Sequence, residues 1–148
     1  MTDYKSLAAS LSALTESVPY LISNLSNAAA LLWNSLENIN WAGFYIVMGD
    51  RLILGPFQGK PACIELLPGK GVCGTALLND EVQLVPDVHQ FPGHIACDSA
   101  SNSEIVIPIH RNGSVWGVLD IDSPGYDRFS QEDKEGLLLF ASELEKIL

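Results

Sequence analysis

The stretch Ser103-Glu104-Ile105-Val106-Ile107-Pro108-Ile109-His110-Arg111-Asn112-Gly113-Ser114-Val115-Trp116-Gly117-Val118-Leu119-Asp120-Ile121-Asp122-Ser123 decides the fold class. Two β-rich runs, Ile105 to Ile109 and Val115 to Ile121, flank Arg111-Asn112-Gly113, a strong hairpin signal. In the second run Asp120 and Asp122 alternate with Leu119 and Ile121, so a period of two sends both carboxylates to one strand face. Glu104 begins the partner strand. A three-residue loop, with Gly113 left-handed in a bulge, places Glu104 opposite Asp120 on that same face; a two-residue Asn-Gly turn places it on the other. Three carboxylates held together repel, so they need a cation (a substrate ammonium or a metal), or one must keep its proton. A solvated sheet face is the plainer alternative, because Asp and Glu are mostly exposed.

Outward from this hairpin, Trp41 to Val47 reads as a strand, Gly49-Asp50 as a turn and Arg51 to Phe57 as the second strand of another hairpin. Ala62 to Leu67 supplies a third strand. Pro68-Gly69-Lys70-Gly71 breaks the chain before a short helix from Val72 to Leu78, and Val82 to Pro86 is a short strand. Residues 87–102 form a long loop, a kind that often carries function. Residues 3–16 and 22–38 read as helices, the second from the spacing of Leu25, Ala28, Ala29, Leu32, Leu36 and Ile39. Ser130 caps a final helix, with Asp133 at the capping-box position. The order ααβββαβ(loop)ββα, with hairpins at both ends of the sheet, predicts an α+β fold in one domain over residues 1–148.

Composition narrows the function. A hydrophobic fraction of 47% describes a globular chain without a disorder signature. No apolar run approaches the roughly 20 residues that span a bilayer. Met1-Thr2-Asp3-Tyr4-Lys5 lacks a basic lead into an apolar segment, so a cytoplasmic protein away from membranes is expected. The net charge of −10 would repel a phosphate backbone, which argues against nucleic acid as partner.

The three cysteines, Cys63, Cys73 and Cys97, all stand among turn-forming residues, where reactive thiols are more at home than structural ones. An odd count without Cys-x-x-Cys argues against a disulfide scaffold, a zinc knuckle and a thioredoxin-type motif. Cys73 falls in the first turn of a helix, where the dipole favours thiolate. Cys97 follows His94 by three residues and adjoins Asp98; a histidinium would activate it and the aspartate would oppose this. Cys63 has no obvious activator and suits a partner thiol. Cys73 and Cys97 are therefore both candidate nucleophiles, and any of the three thiols could simply be a small buried residue. Trp41 and Tyr45 share a strand face with Gly43 between them, as a pocket wall or as core. Asp87, His89 and His94 match no strong zinc spacing, and no metal is assigned to them.

Several longer segments resemble the free methionine-(R)-sulfoxide reductases, a family built on a GAF domain. They are Asn40-Trp41-Ala42-Gly43-Phe44-Tyr45, the run from Leu54 to Cys63, Gly69-Lys70-Gly71-Val72-Cys73-Gly74, and the run from Asp87 to Asp98. Ser103-Glu104-Ile105-Val106 and the run from Gly117 to Pro124 complete the pattern. The resemblance implies a six-stranded antiparallel sheet flanked by helices, and reduction of free L-methionine-(R)-sulfoxide to methionine. It implies Cys97 as nucleophile, Cys63 as main resolving thiol and Cys73 as a supporting or alternative one. Glu104, Asp120 and Asp122 become the pocket carboxylates, and Trp41 and Tyr45 its aromatic wall. A thioredoxin-like dithiol would recycle the enzyme, no cofactor or metal is required, and a homodimer is compatible with the pattern. Two alternatives stand beside this: a non-catalytic GAF module that senses a small ligand, and a metal enzyme built on the three carboxylates.

Overall fold

Asn112 and Gly113 take φ values of 53° and 79° and close a two-residue turn. They join β5 (Ser103–Arg111) to β6 (Ser114–Ser123) in a computed structural model that describes residues 1–94 and 97–148. Turn length alone would send Glu104 away from the aspartates. The ladder shifts, however: Arg111 pairs with Ser114 and His110 with Val115, but Ile109 pairs with Gly117. Trp116 is the extra residue of a bulge, and it restores the parity of the hairpin. Glu104 consequently lies opposite Asp122 rather than Asp120, and all three acids share one face. The short turn forms, and the bulge reverses its consequence.

The sheet order is β3-β2-β1-β6-β5-β4, with every pairing antiparallel. Here β1 is Trp41–Met48, β2 Arg51–Gly59, β3 Glu65–Leu66 and β4 Gln83–Val85. The two hairpins, expected at both ends of the sheet, meet at its centre through β1 and β6; the short β3 and β4 form the edges, which limits exposed strand edge. β3 is only two residues long, against an expected Ala62 to Leu67. The preceding segment hangs from side chains instead: Trp41 Nε1 donates to the Lys60 carbonyl (3.1 Å) and Tyr45 Oη to the Cys63 carbonyl (3.0 Å).

Helices α1 (Tyr4–Thr15), α2 (Leu21–Ser35) and α4 (Gln131–Glu145) cover one face, where Leu11, Leu32, Phe44, Ile121 and Phe140 are fully buried. The expected capping box forms between Ser130 and Asp133. Asp133 also accepts from Tyr4 Oη (2.6 Å) and Arg128 Nη1 (3.1 Å), tying α1 to the start of α4. Helix α3 (Gly71–Asn79) lies on the other face, with a second core around Trp41, Tyr45, Val72 and Val106. The expected 87–102 loop contains a 3-10 turn at Val88–Gln90, and its Ile95 and Ala96 lie outside the described residues. Among the described residues, no helix is long and apolar enough to cross a membrane.

Candidate active site

On the α3 side of the sheet, Trp41 pairs with Asp122 and Gly43 with Asp120, so an aromatic column stands beside a column of acids. Trp41 stacks on Tyr45 at 5.8 Å between ring centroids and on Phe57 at 5.1 Å. A Cβ at Gly43 would run into Phe57, so glycine there lets the Phe57 ring close on Trp41. Trp41 and Tyr45 are both buried in the second core and both line a cavity.

The acids are not a solvated face. Glu104 is 7% and Asp120 5% exposed, and Asp122 is half-buried. Burial pushes all three carboxyls above the ordinary carboxylate range. Glu104 is held well above it, first by burial and then by the charges of Asp120 and Asp122 and hydrogen bonding to them. Asp122 is also held well above it, by burial and then by the Asp120 charge. At Asp120 hydrogen bonding to Glu104 and Cys73 offsets part of the burial, which makes it the member best able to ionise. Its Oδ1 is buried without a hydrogen-bond partner. Tyr45 keeps its phenol proton, since burial and the neighbouring acids drive its pKa far up.

Cys63 and Cys97 form a disulfide with their Cα atoms 5.6 Å apart, joining the segment after β2 to the loop before β5. The Cys97 side of that loop is anchored on the start of β1: Asn40 Nδ2 donates to Asp98 Oδ2 (3.2 Å) and to Ser101 Oγ (3.1 Å). Cys73 is free and buried, the third residue of α3. The expected lowering of its pKa by the helix dipole is overturned. Burial, then the charges of Asp120, Glu104 and Asp122, push the thiol well up. A helix end acts weakly on a group that has lost its water and faces like charge.

A cavity of about 50 Å³ brings together Trp41, Tyr45, Cys73, Cys97, Glu104, Asp120 and Asp122. Cys63 is not on its lining, although its disulfide partner Cys97 and the adjoining Pro61 and Ala62 are. Lys70, Gly71 and His94 also line it, residues whose place there the sequence reading did not assign. The signal for the first two was the Gly69-Lys70-Gly71 run just before a helix, a common way to aim backbone N–H groups at a ligand. Burial, then His89, lowers the His94 pKa, which weakens it as a histidinium beside Cys97. Asp87 caps the 3-10 turn by accepting from the His89 N–H (3.0 Å), and His89 Nε2 meets Asn102 Oδ1 (2.9 Å). Among the described residues, the group of His, Cys, Asp and Glu donors gathered closely enough for a metal is Cys73, Glu104 and Asp120.

A disulfide-bonded cysteine pair beside buried acids defines the site, and a family model for the GAF domain matches residues 10–148. The free methionine-R-sulfoxide reductase of Escherichia coli (strain K12) is 50% identical over 145 residues, covering 98% of this chain and 88% of the relative. The solved reduced form of the Staphylococcus aureus fRMsr shares 51% identity at a TM-score of 0.97, covering 100% of this chain and 96% of that one. The free methionine-R-sulfoxide reductase from Neisseria meningitidis, solved in complex with its substrate, shares 38% identity at a TM-score of 0.94, covering 97% and 87%. This chain belongs to the free methionine-R-sulfoxide reductase family of GAF-domain proteins.

Proposed function

We propose that residues 1–148 form a single GAF domain that reduces free L-methionine-(R)-sulfoxide to L-methionine, with Cys97 as nucleophile and Cys63 as resolving thiol. The observation that carries this reading is the Cys63–Cys97 disulfide beside a cavity lined by Glu104, Asp120 and Asp122. A sulfoxide sulfur becomes electrophilic when its oxygen receives a proton. Glu104, which burial keeps protonated, is the donor of choice. The Cys97 thiolate attacks sulfur, methionine is released, and the oxygen passes to Cys97 as a sulfenic acid. The Cys63 thiol condenses with it and expels water, so one sulfoxide and two thiols yield one methionine, one disulfide and one water.

Ionised Asp120 and its neighbours suit the substrate ammonium, while Lys70 and the N-terminus of α3 suit its carboxylate. Recognition of both charged groups selects the free amino acid over a peptide-bound residue. Trp41 and Tyr45 wall the thioether end. The disulfide is reset by exchange with an external dithiol of the thioredoxin kind, chemistry that belongs in a reducing compartment such as the cytoplasm.

The test is methionine release from the free R-sulfoxide by the reduced protein, followed by a non-reducing mass map. One methionine per Cys63–Cys97 disulfide is expected, and Cys97→Ser should abolish turnover by roughly a thousandfold or more. Cys63→Ser should complete its first turnover and then cycle slowly, because the raised pKa of Cys73 leaves little thiolate to resolve the sulfenic acid. A folded, reduced protein that binds the sulfoxide without releasing methionine would instead be a sensor.

A further inference from the structure

We propose that Cys73, Glu104 and Asp120 form a site for a thiophilic divalent cation of the Zn²⁺ type, which excludes the substrate from the pocket. The three side chains come from α3, β5 and β6, and a sulfur and two carboxylate oxygens lie within 4.8 Å of one another. Adjacent ligands of a tetrahedral zinc stand roughly 3.3–3.6 Å apart, from its usual Zn–S and Zn–O lengths. Drawing the donors in by about 1 Å, within reach of side-chain rotation, therefore completes three corners. The cavity leaves the fourth corner to water.

A second observation points into the same space. Asp120 is 5% exposed, and its Oδ1 is buried with no hydrogen-bond partner. A buried carboxylate oxygen left without a partner, on a residue grouped with a thiol and a second carboxylate, has electron pairs to give. A divalent ion meets that need and cancels the mutual repulsion of the acids. The thiolate ligand selects the metal: Mg²⁺ and Ca²⁺ require sets of oxygen ligands larger than this, whereas Zn²⁺ accepts a mixed S/O tetrahedron. Binding releases the Cys73 thiol proton, and any proton held by the two acids, to solvent. The net charge of −10 favours the approach of a cation.

Exclusion of substrate rests on the proposed function, in which these acids hold the ammonium and protonate the sulfoxide; the metal site itself does not. The two are separable because Cys73 is outside the disulfide. In the oxidised protein Cys73 is the sole thiol, so Co²⁺ used as a probe for Zn²⁺ has one sulfur to meet.

The oxidised protein should take up one Co²⁺ per chain, with a near-ultraviolet thiolate-to-cobalt charge-transfer band that Zn²⁺ bleaches and excess Mg²⁺ does not. Cys73→Ala should lose the band, and Asp120→Asn should weaken uptake about tenfold or more, with circular dichroism checking that both variants fold. No band at millimolar Co²⁺, or a band undiminished in Cys73→Ala, overturns the site. Free L-methionine-(R)-sulfoxide should displace the ion. A bound ion that the sulfoxide cannot displace leaves the metal site standing and refutes the substrate placement; turnover with no metal uptake does the reverse.

Discussion

On the helical face of the sheet, Leu119 and Ile121 are enclosed by α1, α2 and α4; one residue along the same strand, Asp120 is nearly as enclosed on the α3 face. The two faces share strands, hydrogen bonds and burial, and differ only in what the alternation puts inward. On the helical face burial contributes stability, at about 25 cal/mol for each Å² of apolar surface removed from water. On the α3 face burial of three acids opposes folding, and its effect persists as raised carboxyl pKa values. A sheet covered on both sides can thus use one layer to hold itself together and the other to hold protons where solvent would remove them.

Exchanging single residues across that divide is the sharpest way to break the comparison. Glu104→Gln should cut turnover of the free sulfoxide by about 10²–10⁴-fold while leaving the protein folded, measured by methionine release beside circular dichroism. Ile121→Ala, one step from an acid but facing the helices, should lose about 2–5 kcal/mol in denaturant unfolding, with turnover per folded molecule nearly unchanged. Equal losses of activity in both variants would erase the distinction between the faces.

The pH dependence separates the faces again. A carboxyl whose folded pKa is raised leaves the folded state favoured while it stays protonated. Stability falls as pH rises from the ordinary carboxylate range through the raised value. Wild type should therefore lose Tm over that climb, and Glu104→Gln should lose less, ending about 2–4 °C higher at pH 7 and level near pH 4.

The smallest effect belongs to His110, near the end of β5, between Asp80 at the end of α3 and Glu145 of α4. Asp80 (2.6 Å) and Glu145 (3.1 Å) hold its ring and raise its pKa against the opposing effect of burial. Its contribution is present in full below the ordinary histidine pKa and is lost as pH rises through the raised one. His110→Gln should cost under about 1 kcal/mol at acidic pH, because the cluster is partly exposed, and nothing at alkaline pH.

Much of this was legible from local signals. The hairpin at Asn112-Gly113, the capping box at Ser130 and the alternation at Asp120 and Asp122 each depend on a few neighbouring residues, and each formed. Resemblance supplied the pairing of Cys63 with Cys97. The register of Glu104 was not legible, because the bulge at Trp116 answers to strand packing: an added Cβ at the following Gly117 would press on the Tyr45 carbonyl of β1. Nor was the state of Cys73, since its place near a helix start is local but its burial against three acids is not.

By itself the sequence determined an α+β chain, two hairpins, thiols set beside turns and acids on one strand face, all consequences of backbone period and turn chemistry. Only the tertiary structure decided that those acids are buried, that Glu104 faces Asp122, and that Cys73 sits among them while Cys63 stays outside the cavity. Desolvation and charge repulsion depend on what surrounds a group from every side, and a linear order of residues does not carry that.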